Sequence, residues 1–399
     1  MTDAAITMGN AGRDSTRARP QDELLPFLNN FHDIFTTIGV VLLGFGMAVG
    51  AAQLVESTGA DLETFSGQAF AFGLLAGIAV VFWLLSTVLV GRQRRILPGI
   101  VMSLGFVGAM TGVLVWLYVR FLMDGAGLSE ASIEARFDAM DEPDTFNRET
   151  VGEIAGALPL ALRILPVVGA LAFLIPVAFY YFSFRLPFAG GLMGVALTVL
   201  AGAVLLSVDP YIFAVYLPTV NVALGGALLL AGIVFDARDP GRDTRLSGTA
   251  FWLHFFAAPI LLSAVLNLTQ VGWTLSEGDF QNFADNNLFA AMSSGSDAAT
   301  GLAITALIVI GVFALVSLLI NRRALIVSGL LTAGVSIGVI VNSAGLGAGA
   351  VIAVTLLTLG GIVVLLGAAW NPVRGLLLAP FPSEGPLARI FPPANANEG

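Results

Sequence analysis

Ten predominantly apolar stretches divide the chain, at about 34–55, 69–90, 97–119, 164–184, 188–208, 211–235, 249–271, 301–320, 324–344 and 348–369. Each is close to the ~20 residues an α-helix needs to cross the hydrocarbon core of a bilayer. The pattern predicts an all-α fold, a polytopic transmembrane helical bundle of about ten spans over residues 32–369. A polar N-terminal segment (1–31) precedes the bundle, and a tail (370–399) cut by six prolines, with apolar pieces beside Arg374 and Arg389, follows it. Such a tail is expected to lie along the membrane interface and to end in disorder. The N-terminal segment is not followed by a short apolar region with a small-residue cleavage site, so no removable signal peptide is expected. Two boundaries are soft: Pro159 and Pro166 blur the start of the fourth span, and only Asp209–Pro210 separates the fifth from the sixth.

Arginine placement tests the count independently, because cytoplasmic loops retain positive charge. Alternate connections carry Arg92, Arg94 and Arg95, then Arg185, then Arg238, Arg242 and Arg245, then Arg322 and Arg323. With both termini added, 14 of the 18 arginines fall on one side, leaving Arg120, Arg136, Arg148 and Arg163 on the other. A miscounted span would have inverted every connection after it. The expectation is therefore ten spans with both termini in the cytoplasm.

Composition agrees with a lipid setting. The chain is 57% hydrophobic and 11% charged, with a mean hydropathy of +0.89, whereas soluble domains are about a quarter charged. All basic residues are arginine, which suggests a GC-rich bacterial genome and hence a bacterial cytoplasmic (inner) membrane. The net charge of −9 comes largely from two acidic outer loops, 123–163 and 272–300, and points to no nucleic-acid partner. Within the first, Ser129 can cap a short helix with Ile133, Phe137 and Met140 on one face; in the second, Phe280, Phe283 and Leu288 are the apolar counterparts. The acids lack the D-x-[DN]-x-[DN]-G spacing of a calcium loop.

Chemistry is scarce. The absence of cysteine removes disulfides, thiolate metal sites and thiol nucleophiles. The only histidines, His32 and His254, lie in different segments, so neither a metal site nor a cofactor is expected. There is no nucleotide-binding glycine loop and no G-x-S-x-G elbow, so no residue is assigned a catalytic role. An enzyme is left only through an unfamiliar site.

The central parts of the spans contain no Asp, Glu or Lys, which argues against a carboxylate-relay pump or a voltage sensor. The polar candidates that remain are mild. Asn221 falls near the middle of the sixth span, three residues after Pro218, whose missing N–H leaves the Ala214 carbonyl without its usual donor. Its amide is either interhelical glue or part of a solute path. His254 lies a little over one turn into the seventh span, before Pro259, either as a structural histidine with a hydrogen-bond partner or as a proton-handling group. Small-x-x-x-small pairs at Gly46/Gly50, Gly73/Gly77, Gly108/Gly112, Gly190/Gly194 and Gly334/Gly338 are expected to bring helices of this chain close together. The six-residue runs 81–86 and 312–317 match at one offset, a trace of duplication or a coincidence of apolar composition.

The stretch from Arg245 through Phe251, Trp252 and His254 to Pro259 resembles a segment of uncharacterised multi-pass inner-membrane proteins of proteobacteria. The tail from Trp370 to Arg374, with Pro392 and Pro393, is similar too. The resemblance implies a cytoplasmic-membrane location and no activity. Relatives often carry a second histidine soon after the proline, where this chain has Ile260 to Ser263.

Two functional readings follow. One is a transporter-like protein that binds or moves a small neutral or apolar solute, with Asn221, Pro218 and His254 as ligand-binding candidates. The other is a non-transporting scaffold, assembly factor or sensor whose acidic loops meet a protein partner. A water-accessible crevice reaching Asn221 favours the first, and a solid glycine-packed bundle the second.

Overall fold

A backbone inside a bilayer must satisfy its polar groups internally, and a helix does so within one segment. In the computed structural model, which describes residues 31–122, 131, 134–135, 147–239, 242, 244–275, 297–382 and 385–392, every regular element is helical. Ten of the helices are long and apolar enough to cross a membrane, which makes the chain a multi-pass membrane protein. They are α1 (Phe31–Ser57), α2 (Phe65–Ser86, continued by a π-helical turn Thr87–Arg92), α3 (Ile96–Arg120), α4 (Leu165–Phe184) and α5 (Pro187–Val208). The second half holds α6 (Leu217–Arg238), α7 (Arg245–Val271), α8 (Asp297–Ile320), α9 (Ala324–Ser343) and α10 (Ala348–Leu378). The proposed loop helix around Ser129, Ile133, Phe137 and Met140 lies outside the described residues, as do Phe280, Phe283 and Leu288. So does most of the N-terminal segment.

Local chemistry sets the helix starts. Thr64 caps α2 by accepting the Gly67 N–H at 3.2 Å, and Thr244 caps α7 by accepting that of Leu246 at 3.2 Å. Pro187 and Pro218 stand in first turns, where no N–H is needed. Pro176, inside α4, frees the carbonyl of Ala172, and the Thr111 hydroxyl of α3 donates to it at 3.2 Å. At the end of the chain, α10 continues through Pro372 to Leu378, past the expected limit at residue 369.

α7 is the organising element. It packs against α5, α6, α8 and α9, and 56% of its most apolar stretch is buried, against 39% or less in any other span. α1 and α10 lie at the periphery, where Phe45, Leu357 and Val364 are more than two-thirds exposed, as lipid-facing side chains should be. One apolar core joins α2, α3, α4 and α5 through Phe82, Met102, Phe106, Val177, Tyr180 and Phe188. A second joins α7, α8 and α9 through Leu262, Leu266, Leu302, Phe313 and Leu325.

The glycine pairs divide. A Cβ on Gly190 would fall 2.8 Å from the Thr249 side chain and one on Gly194 2.4 Å from Leu253, and with the neighbouring Gly191, 2.4 Å from the Trp252 Cβ, α5 and α7 meet along a glycine seam. Gly112 and Gly334 also face neighbouring helices, at Leu75 and Leu359. Gly46, Gly50, Gly73 and Gly77 face nothing within 4 Å. Close approach, the expected role of the motif, is thus realised in part of the set.

Candidate functional site

α6 and α7 form a helical hairpin, so an acid closing α6 comes to face a residue about two to three turns inside α7. Asp236 and His254 meet in this way: the imidazole Nε2–H donates to Asp236 Oδ2 at 2.9 Å. The Arg322 Nε, from the short α8–α9 turn, donates to both carboxylate oxygens at 3.0 Å, and its terminal nitrogen bonds Asp236 Oδ1 as well. That nitrogen also donates to Ser247 Oγ at 2.9 Å. Three elements, α6, α7 and the α8–α9 turn, therefore meet at one carboxylate. Planar guanidinium and planar carboxylate give the forked geometry that makes such pairs strong and directional.

The cluster is buried. His254 is fully covered, the Arg322 side chain is 2% exposed and that of Asp236 16%. Room for the ring comes from Gly232, one turn before Asp236, where a Cβ would lie 2.7 Å from His254 Cε1. With Nε2 donating, the neutral ring has an acceptor lone pair at Nδ1, and that atom is buried without a partner among the described residues. About 13 Å of helix axis separates His254 from the start of α7, which sets the imidazole well inside the span.

A second layer holds the α8–α9 turn. Asn321 adopts a left-handed backbone (φ 55°), and its carbonyl accepts from Arg242 at 2.8 Å. Its side-chain oxygen accepts from Trp370 Nε1 at 3.1 Å, and Arg323 lies over the Trp370 ring at 5.0 Å. Arg374 Nε donates to the Leu318 carbonyl at 3.1 Å. Asp239 orders the α6–α7 connection by accepting from the Thr244 N–H at 3.0 Å and hydroxyl at 2.6 Å. Arginines read in the sequence only as markers of sidedness are here structural ligands of backbone and carboxylate.

The other two sequence candidates lie at the opposite end of α6. The sixth span is not one helix: a short helix, Pro210–Val215, stops at Tyr216, and α6 begins at Leu217. The Tyr216 N–H closes the short helix on Ile212 O at 3.0 Å, and the Val215 carbonyl accepts from Leu275 at 2.8 Å. The chain thus leaves the helix before Pro218, so the proline sits harmlessly in a new first turn and is fully buried. Asn221 falls four residues after the start of α6, nearer the end of the membrane span than its middle. It is half-buried, and its amide has no hydrogen-bond partner among the described residues. About 22 Å of helix axis separates it from Asp236, so the structure does not bring Asn221 and His254 together.

A cavity of about 430 Å³ lies between α2, α3 and α4, lined by Trp83, Phe106, Met110, Ile175, Pro176 and Phe179. Neither it nor a shallow recess at Gly50–Ser57 is lined by Asn221 or His254. Among the described residues, no group of three or more His, Asp or Glu could hold a metal ion.

Sequence reasoning missed Asp236 and Arg322 because both lie at helix ends, where charge is ordinary. The signal was there: an acid closing one span and a histidine about two to three turns into the next can face each other across a short hairpin. No protein family, curated protein or solved structure matches the chain.

Proposed function

We propose that the protein is a transporter-like component of a bacterial cytoplasmic membrane, moving a small neutral or apolar solute, and that the Asp236–His254–Arg322 cluster is its gate at the cytoplasmic end. The observation that carries this reading is the contrast between the two ends of α6. One end is interrupted at Tyr216 and carries an asparagine amide with no partner among the described residues; the other is clasped by a buried ion pair. An interrupted span with free polar groups is the usual setting of a solute site in transporters. Buried ion pairs seldom add net stability over apolar packing, but they give two well-defined states, bonded and released. The arginine bias supports the cytoplasmic assignment of the clasped end.

The scaffold reading has its own supporting observation. The α5–α7 glycine seam is solidly packed, and neither cavity described above touches Asn221. The resemblance of residues 245–259 to inner-membrane proteins is compatible with both.

Reaction of a cysteine at position 221 separates the two, since the chain has no other thiol. In Asn221→Cys protein reconstituted in vesicles, a small charged thiol reagent should react from the end opposite the gate, because a solute path admits water. If the thiol is protected while a cysteine at Thr58, on an exposed turn at that end, reacts readily, the solid-bundle reading stands instead.

A further inference from the structure

All four non-glycine residues with left-handed backbones among the described residues lie in the turns of one end: Arg94, Arg185, Arg242 and Asn321. Glycine adopts this conformation freely and arginine does so against steric resistance from its Cβ. Arg242 and Asn321 have an evident structural use, described above. The Arg185 backbone caps α4, but the side chains of Arg94 and Arg185 are exposed and have no ion-pair or hydrogen-bond partner among the described residues.

These two turns are neighbours. A Cβ on Gly91 would lie 3.9 Å from the Phe184 ring, and Leu186 packs beside Gly99 at the start of α3. The contact brings Arg92 and Arg94 of the α2–α3 turn beside Arg185 of the α4–α5 turn. Arg92 is likewise exposed and has no side-chain partner among the described residues. Their neighbour Arg95 is committed elsewhere, to Asp33 at 3.3 Å and Thr36 at 2.6 Å. Three exposed arginines, none paired with a carboxylate among the described residues, therefore stand on two adjacent turns.

The patch borders the lipid-facing belt. Phe182, one turn before Arg185, is 69% exposed, and Leu84 and Val88 on α2 are exposed as well. Apolar side chains below and exposed arginines above match the two parts of a phospholipid, chain and phosphate. We propose that Arg92, Arg94 and Arg185 form a binding site for the phosphate of an anionic membrane lipid. Guanidinium offers paired donors to phosphate oxygens, and the negative surface of an anionic leaflet concentrates the ligand at this depth. A helix C-terminus also welcomes a cation, but that role is served by any basic residue nearby and does not require arginine in a strained position.

The strained backbone makes the test clean. Arg94→Gly/Arg185→Gly removes two charges and relieves both left-handed positions, so the variant should fold with an unchanged or higher melting temperature. Purified from membranes, it should retain several-fold less phosphatidylglycerol, measured by native mass spectrometry. Its melting temperature should also rise less than that of the unaltered protein when phosphatidylglycerol is added. Arg94→Asn/Arg185→Asn, also tolerant of this backbone, serves if the glycine variant is poorly produced. Arg238→Gln/Arg245→Gln, with equal charge loss on the same end, should retain lipid normally. Equal lipid retention in all variants would overturn the site. So would a loss as large in the Arg238/Arg245 control, or stabilisation by inorganic phosphate equal to that by the lipid.

Discussion

Nε2 of His254 stands 2.9 Å from Oδ2 of Asp236, and the ring can reach that position only because residue 232 has no side chain. Histidine, aspartate and glycine thus form one unit, two positions on α6 and one on α7. Gly232→Val should push the ring off the carboxylate and destabilise the protein by about 1–3 kcal/mol, the range of overpacked cores. His254→Ala should relieve much of that strain. A double-mutant cycle on thermal unfolding in detergent checks it: simple additivity would mean the two residues do not compete for space.

Arg322 neutralises Asp236 in a place where water has little access. Arg322→Met leaves the carboxylate uncompensated and should cost about 3–5 kcal/mol. Pairing it with Asp236→Leu removes both charges and should recover most of the loss. A double variant no more stable than Arg322→Met alone would show that the arginine acts through its backbone-ordering neighbours rather than through Asp236.

Asn221 has no hydrogen-bond partner among the described residues. Asn221→Leu should therefore change stability by no more than about 0.5 kcal/mol, as at sites free of specific contacts. A loss of about 1 kcal/mol or more in unfolding would identify the amide as interhelical glue and remove it from any solute path.

Sidedness has a direct test in a chain without thiols. Thr58, in the α1–α2 turn, and Gln93, in the α2–α3 turn, are both exposed and lie at opposite ends of the bundle. In intact cells an impermeant thiol reagent should label Thr58→Cys and leave Gln93→Cys untouched. The reverse pattern would invert the orientation drawn from the arginines.

The ten spans were legible because a bilayer tolerates few alternatives: a run of about 20 apolar residues between polar turns has no other stable form. What sequence could not show was how turns interlock. Arg322 and Arg323 read as sidedness markers, yet one holds Asp236 and the other covers Trp370. Asn221 read as mid-span because 211–235 looked continuous, and the break at Tyr216 moved it toward one end. That break rests on a tertiary bond, Leu275 to the Val215 carbonyl, between residues 60 apart in sequence. Of the glycine pairs, spacing marked every candidate but not which faces meet another helix, since that depends on the arrangement of the spans.

The central claim is that the Asp236 cluster is a gate, and a gate must open. Ala250 is fully buried on α7 between Ser247 and His254, and a cysteine there is a small change. In otherwise unaltered protein in vesicles, Ala250→Cys should react slowly with a charged thiol reagent added at the arginine-bearing end. Asp236→Asn should raise that rate at least about tenfold, the factor carried by ~1.4 kcal/mol of gate stability, at temperatures well below unfolding. A rate that is the same with and without Asp236→Asn in a folded bundle would contradict the gate and leave the cluster as a fixed clasp between α6, α7 and the α8–α9 turn.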